Sequence, residues 1–483
     1  MNIVWLKRDI RSKDHLPLFN ASKEKCLVIY IFEPSAANNY DFDLRHWRFV
    51  YQSLKDLEKK GFAVHKFYGE AIDVFDRLKS IYGNISIFSH RETGNDLSYK
   101  RDLEVKSFCK SYGVSWNEYT PYGVIRGAEN REGWDHYWIR YVKEEVKEIS
   151  DFSNIVFNLD LQNEFLPPTD LQEKLKEVIP EILIGGETNG IQYLQDFLNL
   201  KVEKYWGSIS YPEKSLYYCS RLSAYISWGN LSIRQIYQAC DLKRGFVKNS
   251  ISLEQYMVRL KWHCHFIQRL ESEPDIEFVN VNPAYNGIRK KKNKKYIKAW
   301  KEGMTGYPLI DAAMRCVQVT GYLNFRLRAT VVSFLTHTLW QPWQAGTGHL
   351  ARAFLDYEPG IHFSQFQMQA GTTGINTLRI YNPVKQSKEK DKEGVFIKKW
   401  VPELKDIPLK FIHEPWLLSP MDEMLYNLKL GEDYPKPIVD FEKEHKYARE
   451  QLWGIKNSSE SKFQSRGIII KHARKVNRKR KGK

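Results

Sequence analysis

Residues 26–32 read CLVIYIF, an unbroken apolar run of strand length, and residues 42–61 follow as FDLRHWRFVYQSLKDLEKKG, with apolar positions recurring at helical spacing. IVWLKRDI at 3–10 reads as another short apolar strand before them. NISIFSH at 84–90, with a second helical stretch, carries the alternation to about residue 130. Strands alternating with helices predict a parallel sheet covered by its own connections, an α/β layer. From 131 to 199 the pattern weakens, and NLDLQNEFLPPTD at 158–170 reads as an exposed connector. Beyond residue 200 the character changes: LSIRQIYQAC, LEQYMVRLKWHCHFIQRLES, LIDAAMRCVQVTG and RLRATVVSFLTHTLWQPW carry helical periodicity. A helical second domain is expected there. The end, KHARKVNRKRKGK, is a basic tail with nothing to bury.

Composition agrees with two cores, since 483 residues exceed one ordinary interior. A net charge of +16 points to a polyanion such as nucleic acid, although solubility accounts for part of such a surplus. The aromatic share of 14% suggests a site or surface that uses rings. No apolar run is long enough to span a membrane, and the start, MNIVWLKRDIRSKDH, has charges where a secretory leader needs an apolar core. Six scattered cysteines without CxxC spacing fit reduced thiols in a cytoplasmic protein. None follows Cys316, which excludes a late four-cysteine cluster. His263 and His265 flank Cys264, but successive helical positions diverge by about 100°, so the pair cannot share an ion and no metal is predicted.

Walker, GxSxG, HExxH and complete GxGxxG motifs are absent, and AGTTG at 370–374 is too short to count. Two stretches stand out instead. AFLDYEPGIHFSQFQ at 353–367 sets Asp356 and Glu358 two positions apart, is expected to break helix at Pro359-Gly360, and delivers His362 among Phe363 and Phe366. A short cluster of that kind is ordinarily a solvated turn. Cys219-Ser220-Arg221-Leu222-Ser223 precedes AYISWGNLS as a helix start whose free N–H groups and two hydroxyls suit phosphate, or simply cap the helix.

Four ordered blocks go further: WLKRDIRSKDHLPL, SRLSAYISWGNLS, TGYPLIDAAMRCVQVTGYLNFRLRATVVSFL and RIYNPVKQSKEKDKEGVFIKKWVPEL, echoed by HEPWLLSP and YPKPIVD. On these the chain resembles the cryptochrome/photolyase family along nearly its whole length, outside the iron–sulfur branch. The resemblance implies a Rossmann-like α/β antenna domain over 1–130, a connector over 131–199, an all-α FAD-binding domain over 200–455 and a basic tail over 456–483. It implies FAD in a folded conformation, with Asp356 and Glu358 beside the isoalloxazine, Asp356 paired with Arg328, and His362 facing the redox-active ring nitrogen. A reference pKa of about 6.5 would let that histidine donate or accept near neutrality. Tyr205, Ser220, Arg221, Leu222 and Ser223 match the phosphate side, and His263 stands where a basic contact is usual.

The same resemblance implies departures. Of the three tryptophans that relay electrons in the family, Trp343 alone matches. Phe366 and Lys290 hold the other places, leaving Trp340 or Tyr322 as substitutes. Trp262 matches the indole that stacks on a flipped lesion, whereas Arg259 replaces an acid, Met368 a second stacking tryptophan, and Phe325 and Ala329 the polar contacts. Arg259, Arg326 and the run Arg289-Lys290-Lys291-Lys292-Asn293-Lys294-Lys295 are candidates for DNA phosphate, or in the case of the run a solvated face. The leading expectation is a monomeric, FAD-dependent DNA photolyase acting on damaged DNA, duplex or single-stranded. A blue-light photoreceptor of cryptochrome type is the alternative, and a flavin-containing nucleic-acid-binding module a third. ETGNDLSYKRD at 92–102 leaves room for a second antenna chromophore of unidentified type.

Overall fold

A computed structural model describes residues 1–149, 151–159, 161 and 164–473, so the basic end from 474 onward lies outside the described residues. β1 (Asn2–Leu6), β2 (Cys26–Phe32), β3 (Val64–Tyr68), β4 (Ser86–His90) and β5 (Ser115–Tyr119) form one parallel sheet in the order β3-β2-β1-β4-β5. Val4 stands opposite Val28 on one side and Phe88 on the other, which fixes β1 at the centre. Side chains alternate across the sheet. Val4, Leu6, Val28, Tyr30 and Phe32 enter one core, while Ile3, Trp5, Leu27, Ile29 and Ile31 enter another on the opposite face. β3 (VHKFY) and β5 (SWNEY) escaped the sequence reading because both are edge strands with polar residues and partly exposed faces.

The first of these cores does not stop at the sheet. It runs on through Phe197, Tyr225, Tyr256, Leu260 and Ile267, so the sheet and the helical half share one interior. A further core lies wholly among the later helices, around Trp300, Ile310, Val331, Leu335, Trp343, Phe363 and Phe366. The region 131–199 is more ordered than its weak periodicity suggested. Helices Trp134–Lys143, Thr169–Lys176 and Glu187–Asp196 occupy much of it, the first burying Trp134, Trp138, Tyr141 and Val142. Helical order also continues past 455, through Phe441–Asn457 and Ser459–His472, where His472 bonds Glu273. Among the described residues no helix is long and apolar enough to cross a membrane, and all six cysteines are buried and unpaired.

The Pro359-Gly360 pair starts a helix instead of breaking one. Helix Gln344–Ala353 ends before the acids, and helix Pro359–Ala370 begins at the proline, whose missing N–H costs nothing in a first turn. Gly360 is required by contact: a Cβ there would lie 2.6 Å from Ile267 Cα on the crossing helix Ser250–Ser272.

Candidate active site

Where helices Ser250–Ser272, Phe325–Ser333 and Pro359–Ala370 converge on the 219–223 loop, they enclose a cavity of about 310 Å³. Each helix presents one face. Tyr256, Arg259, Trp262, His263 and Phe266 come from the first, Phe325, Arg328, Ala329 and Val332 from the second, and Ile361, His362, Gln365, Phe366 and Gln369 from the third. These sets follow i, i+3, i+4 spacing, which is why residues spread from Tyr256 to Gln369 meet. Tyr205 and the 219–223 loop close the other end. Neither serine of that loop caps the short helix Ser223–Ser227, which has Leu222 at its N-cap without a side-chain bond. Arg221 adopts φ 57°, and its guanidinium stands 3.9 Å from the Tyr322 ring centroid.

The 354–358 loop forms the floor. His46 Nε2 donates to Phe354 O at 3.0 Å, Trp228 Nε1 to Leu355 O at 2.8 Å, Ser227 Oγ to Asp356 O at 3.1 Å, and Arg8 to Tyr357 O. Four consecutive carbonyls are thus held by four side chains from elsewhere. The Tyr357 hydroxyl adds a bond to Asp41 Oδ2 at 2.8 Å. On this rigid loop Arg328 Nη2 reaches both Asp356 oxygens, at 2.9 and 2.7 Å, and Arg328 Nε donates to Leu323 O. The anticipated pair is therefore formed. Glu358 is buried, with its Oε2 lacking any partner. Burial pushes its carboxyl up to about 7, against the field of Arg8.

His362 corrects an expectation. Its Nε2 donates to Thr347 O at 3.0 Å, and burial holds the ring down to about 3, so it is neutral throughout the physiological range and does not titrate near neutrality. With Nε2 committed as a donor, Nδ1 is left as an acceptor. His263 is likewise lowered to about 3 by burial, and both its ring nitrogens lack a partner. Unpartnered Arg221 Nε, Arg259 Nε, His263 and Glu358 Oε2, gathered around one cavity, are the mark of a site shaped for a polar ligand. Carboxylates at one end and a serine- and arginine-bearing loop at the other suit a flavin dinucleotide, whose ring offers N–H and whose diphosphate accepts.

The remaining candidates fall elsewhere. Trp343 is buried in the later-helix core, donating to Asn280 Oδ1 at 2.8 Å, and Met368 does not line the cavity although Gln365 and Gln369 beside it do. Phe366 packs 4.8 Å from the His362 ring. Behind it stands Trp300, missed by sequence reading: a Cβ on Gly346 would lie 3.0 Å from Trp300 and 3.3 Å from Phe366. Only helix packing brings those rings together, so no local signal could have found it. Within the basic run, Lys290 and Lys291 are exposed, but Arg289 is not available to a partner outside. It is buried, bonded through Nη2 to His337 Nδ1 and Ala370 O at 3.0 Å each, and lowered to about 9 by burial. Arg326 faces a second groove of about 570 Å³ with Arg379, Tyr381, His445, Arg449 and Trp453, a cationic and aromatic surface beside the cavity.

A buried cluster in the sheet domain also went unread. Asp9 Oδ2 lies 2.6 Å from His90 Nδ1 and 3.0 Å from His15 Nε2. His15 Nδ1 accepts from Leu18 N, so its Nε2 carries the hydrogen that points at the carboxylate. The three ligand atoms lie within 4.8 Å of one another, His90 hydrogen-bonding Asp9 while His15 Nε2 has no hydrogen-bond partner of good geometry. Despite burial, the two rings hold the Asp9 carboxyl well below its usual range.

Comparison with known proteins agrees with this architecture. Residues 2–121 match the family described as DNA photolyase, and residues 256–454 the FAD binding domain of DNA photolyase. A deoxyribodipyrimidine photo-lyase of Alkalihalophilus pseudofirmus is 27% identical, with 93% of this chain and 97% of that relative aligned. A cryptochrome DASH of Gloeobacter violaceus is 27% identical, covering 91% and 93%. Among solved structures, a class III photolyase from Agrobacterium tumefaciens superposes with TM-score 0.82 over 95% of this chain and 98% of that one, at 23% identity, a likeness of fold. An archaeal photolyase from Sulfolobus tokodaii, described with two FAD molecules, gives 0.76 at 26% identity over 94% and 100%.

Proposed function

The chain belongs to the DNA photolyase and cryptochrome family, and from that premise we propose that it is a light-driven DNA lyase that reverses pyrimidine photoproducts with FAD held in the helical cavity. The observation that carries the proposal is the cavity itself: an Arg328–Asp356 pair, a buried Glu358 whose Oε2 has no partner and the 219–223 loop surround one space that opens beside Trp262. Held there by Arg328, Asp356, Glu358 and the 219–223 loop, FAD would supply light-driven electron donation to the lesion. The protein's share is binding and exclusion. Glu358 accepts from the ring's N–H, Asp356 is paired with Arg328, and His362 offers Nδ1 as an acceptor whose orientation Thr347 O fixes. Tyr205, Ser220, Arg221, Leu222, Ser223 and His263 take the phosphate side.

Trp262 supplies the stacking surface for an extruded base, a step that costs less for a damaged pair than for a sound one. Arg259 and Arg326, with Lys290 and Lys291 on the surface, meet DNA phosphate or base edges. We assign Trp343 a part in electron supply together with Trp300. A second chromophore in the sheet domain belongs to the same reading, on the precedent of the Sulfolobus tokodaii photolyase. Unpaired buried cysteines and the +16 charge support a monomer working on DNA in a reducing, cytoplasmic setting. Domain limits near residues 130, 200 and 455 are proposed with it.

One observation favours a blue-light photoreceptor instead: Phe325 and Ala329 line the cavity where the polar contacts to a lesion would stand. Purified, reduced protein incubated with oligonucleotides carrying a cyclobutane dimer or a (6-4) product, in light and in darkness, separates the two. Bases restored only in light support repair. No restoration of either lesion rejects it in favour of the photoreceptor.

A further inference from the structure

On the reading above the cavity holds FAD, and FAD must be reduced before it can donate. Phe366, the ring closest to His362 at 4.8 Å, is a plain phenyl that resists oxidation. Five other rings lining the cavity are oxidisable: Tyr205, Tyr256, Trp262, Tyr322 and Tyr357. A ring that loses an electron becomes a cation unless a proton leaves with it, so neighbouring charge and a neighbouring base decide among them. Trp262 and Tyr322 each carry a guanidinium, Arg259 at 4.4 Å and Arg221 at 3.9 Å, which opposes a second positive charge. Tyr205 faces Arg259 and Tyr256 faces Ser220, and neither meets a carboxylate. Tyr357 alone of the five has a base. Its hydroxyl donates to Asp41 Oδ2 at 2.8 Å, and its ring stands edge to face with that of His362, 5.1 Å away.

Asp41 is placed to take the proton. Both its oxygens accept, Oδ1 from Asn39 Nδ2 at 2.8 Å and Oδ2 also from Asn95 Nδ2 at 2.7 Å. Burial, reinforced by Asp41, holds the Tyr357 phenol well above its ordinary range, so the proton rests on the phenol in the dark. The residue next to Asp41 repeats the arrangement. Tyr40 donates to Glu277 Oε1 at 2.6 Å, Glu277 Oε2 accepts from Asp96 N, and Tyr40 is 39% exposed. Two tyrosines, each on a carboxylate, thus lead from the cavity to the surface where the sheet half meets the helical one. We propose that Tyr357 is an electron donor to light-excited, oxidised FAD and that Tyr40 passes the oxidation on to solvent. In the first step one electron goes from Tyr357 to the flavin and the phenolic proton to Asp41, leaving a neutral tyrosyl radical. In the second, Tyr40 gives that radical an electron and gives Glu277 a proton, while Tyr357 recovers its own proton from Asp41. A soluble thiolate then reduces the Tyr40 radical, which takes its proton back from Glu277. The flavin has gained one electron and the thiolate has lost one.

The test uses the full chain loaded with oxidised FAD and flashed with blue light beside a thiol. In the wild type, electron paramagnetic resonance should show a radical whose signal narrows when the tyrosines, and not the tryptophans, are ring-deuterated, and its formation should slow in D2O. That measurement needs no variant and so does not depend on how one folds. Tyr357→Phe and Asp41→Asn should each slow flavin reduction about tenfold or more, as loss of a positioned proton acceptor does, with FAD absorbance reporting that each variant still holds the pigment. Tyr40→Phe should keep the prompt radical and lower net reduction under steady light, because the electron returns to Tyr357. The proposal is overturned by a tryptophanyl signal alone, by equal rates in H2O and D2O, or by reduction that survives in Tyr357→Phe and is lost in Trp300→Phe. A chain that takes up no FAD removes the reading of the cavity itself, whereas one that holds the pigment without these signals loses only the tyrosine route. Lesion repair by chemically reduced protein needs no photoreduction and stands or falls separately.

Discussion

Glu358 is a carboxyl whose environment works against its charge. Burial raises it to about 7 from an ordinary 4.5, so the folded, FAD-free protein holds its proton more tightly than the unfolded chain. The stability tied to that proton is complete below pH 4.5 and is lost as pH rises through about 7. Thermal melts of FAD-free protein are therefore expected to fall between pH 5.5 and 7.5, by roughly 2–3 kcal/mol in all. Glu358→Gln should flatten that dependence; a slope unchanged in the variant would place its origin elsewhere. Arg328→Leu leaves a buried carboxylate without its cation, and a loss of about 3 kcal/mol together with loss of FAD absorbance is expected from denaturant melts and spectra. His362, down at about 3, contributes no titration between pH 5 and 8. Glu358, at about 7, is the group whose titration should show in flavin spectra over that range, whereas His362→Asn, which exchanges an acceptor nitrogen for an amide, should alter them at every pH; identical spectra in the variant would end any role of His362 in proton placement.

At the scale of elements, the crossing of helices Ser250–Ser272 and Pro359–Ala370 depends on a backbone approach that only glycine allows. Gly360→Ala drives a methyl to 2.6 Å from Ile267 Cα, and a cost of about 1–3 kcal/mol is expected in chemical denaturation, with FAD loosened because His362 and Phe366 ride on the displaced helix. These elements were unequally legible. β2 was readable to the residue because an apolar run buried on both faces has no competing interpretation. β5, half exposed and polar, gave no periodic signal. The acid loop yielded its residues but not its context: a Pro-Gly pair reads as a stop, whereas proline in a first turn is a start, and the difference lies in where the preceding helix ends. The protonation of His362 and the burial of Arg289 were illegible for one reason. Both depend on tertiary burial, with the rings of Phe354, Tyr357 and Phe366 packed around His362 in one case and Trp340 and His337 against Arg289 in the other.

For the molecule as a whole, charge is the property that reaches farthest. The +16 surplus predicts DNA binding that weakens steeply with salt, each phosphate contact contributing about 0.9 to the logarithmic slope. Lys290→Ala and Lys291→Ala should each lower that slope by about one contact without touching FAD absorbance, as titrations across a salt series would report; slopes equal to the wild type would make the run a solvated face. The two halves of the chain are joined as firmly as either is built. Of the four side chains that hold the carbonyls of residues 354–357, His46 and Arg8 come from the sheet domain and Ser227 and Trp228 from the helical one. The helical half is consequently no transplantable module: grafted onto a foreign partner, or inherited through recombination without its own sheet, it would bring every residue that touches the pigment and still lack half the scaffolding that keeps them in register.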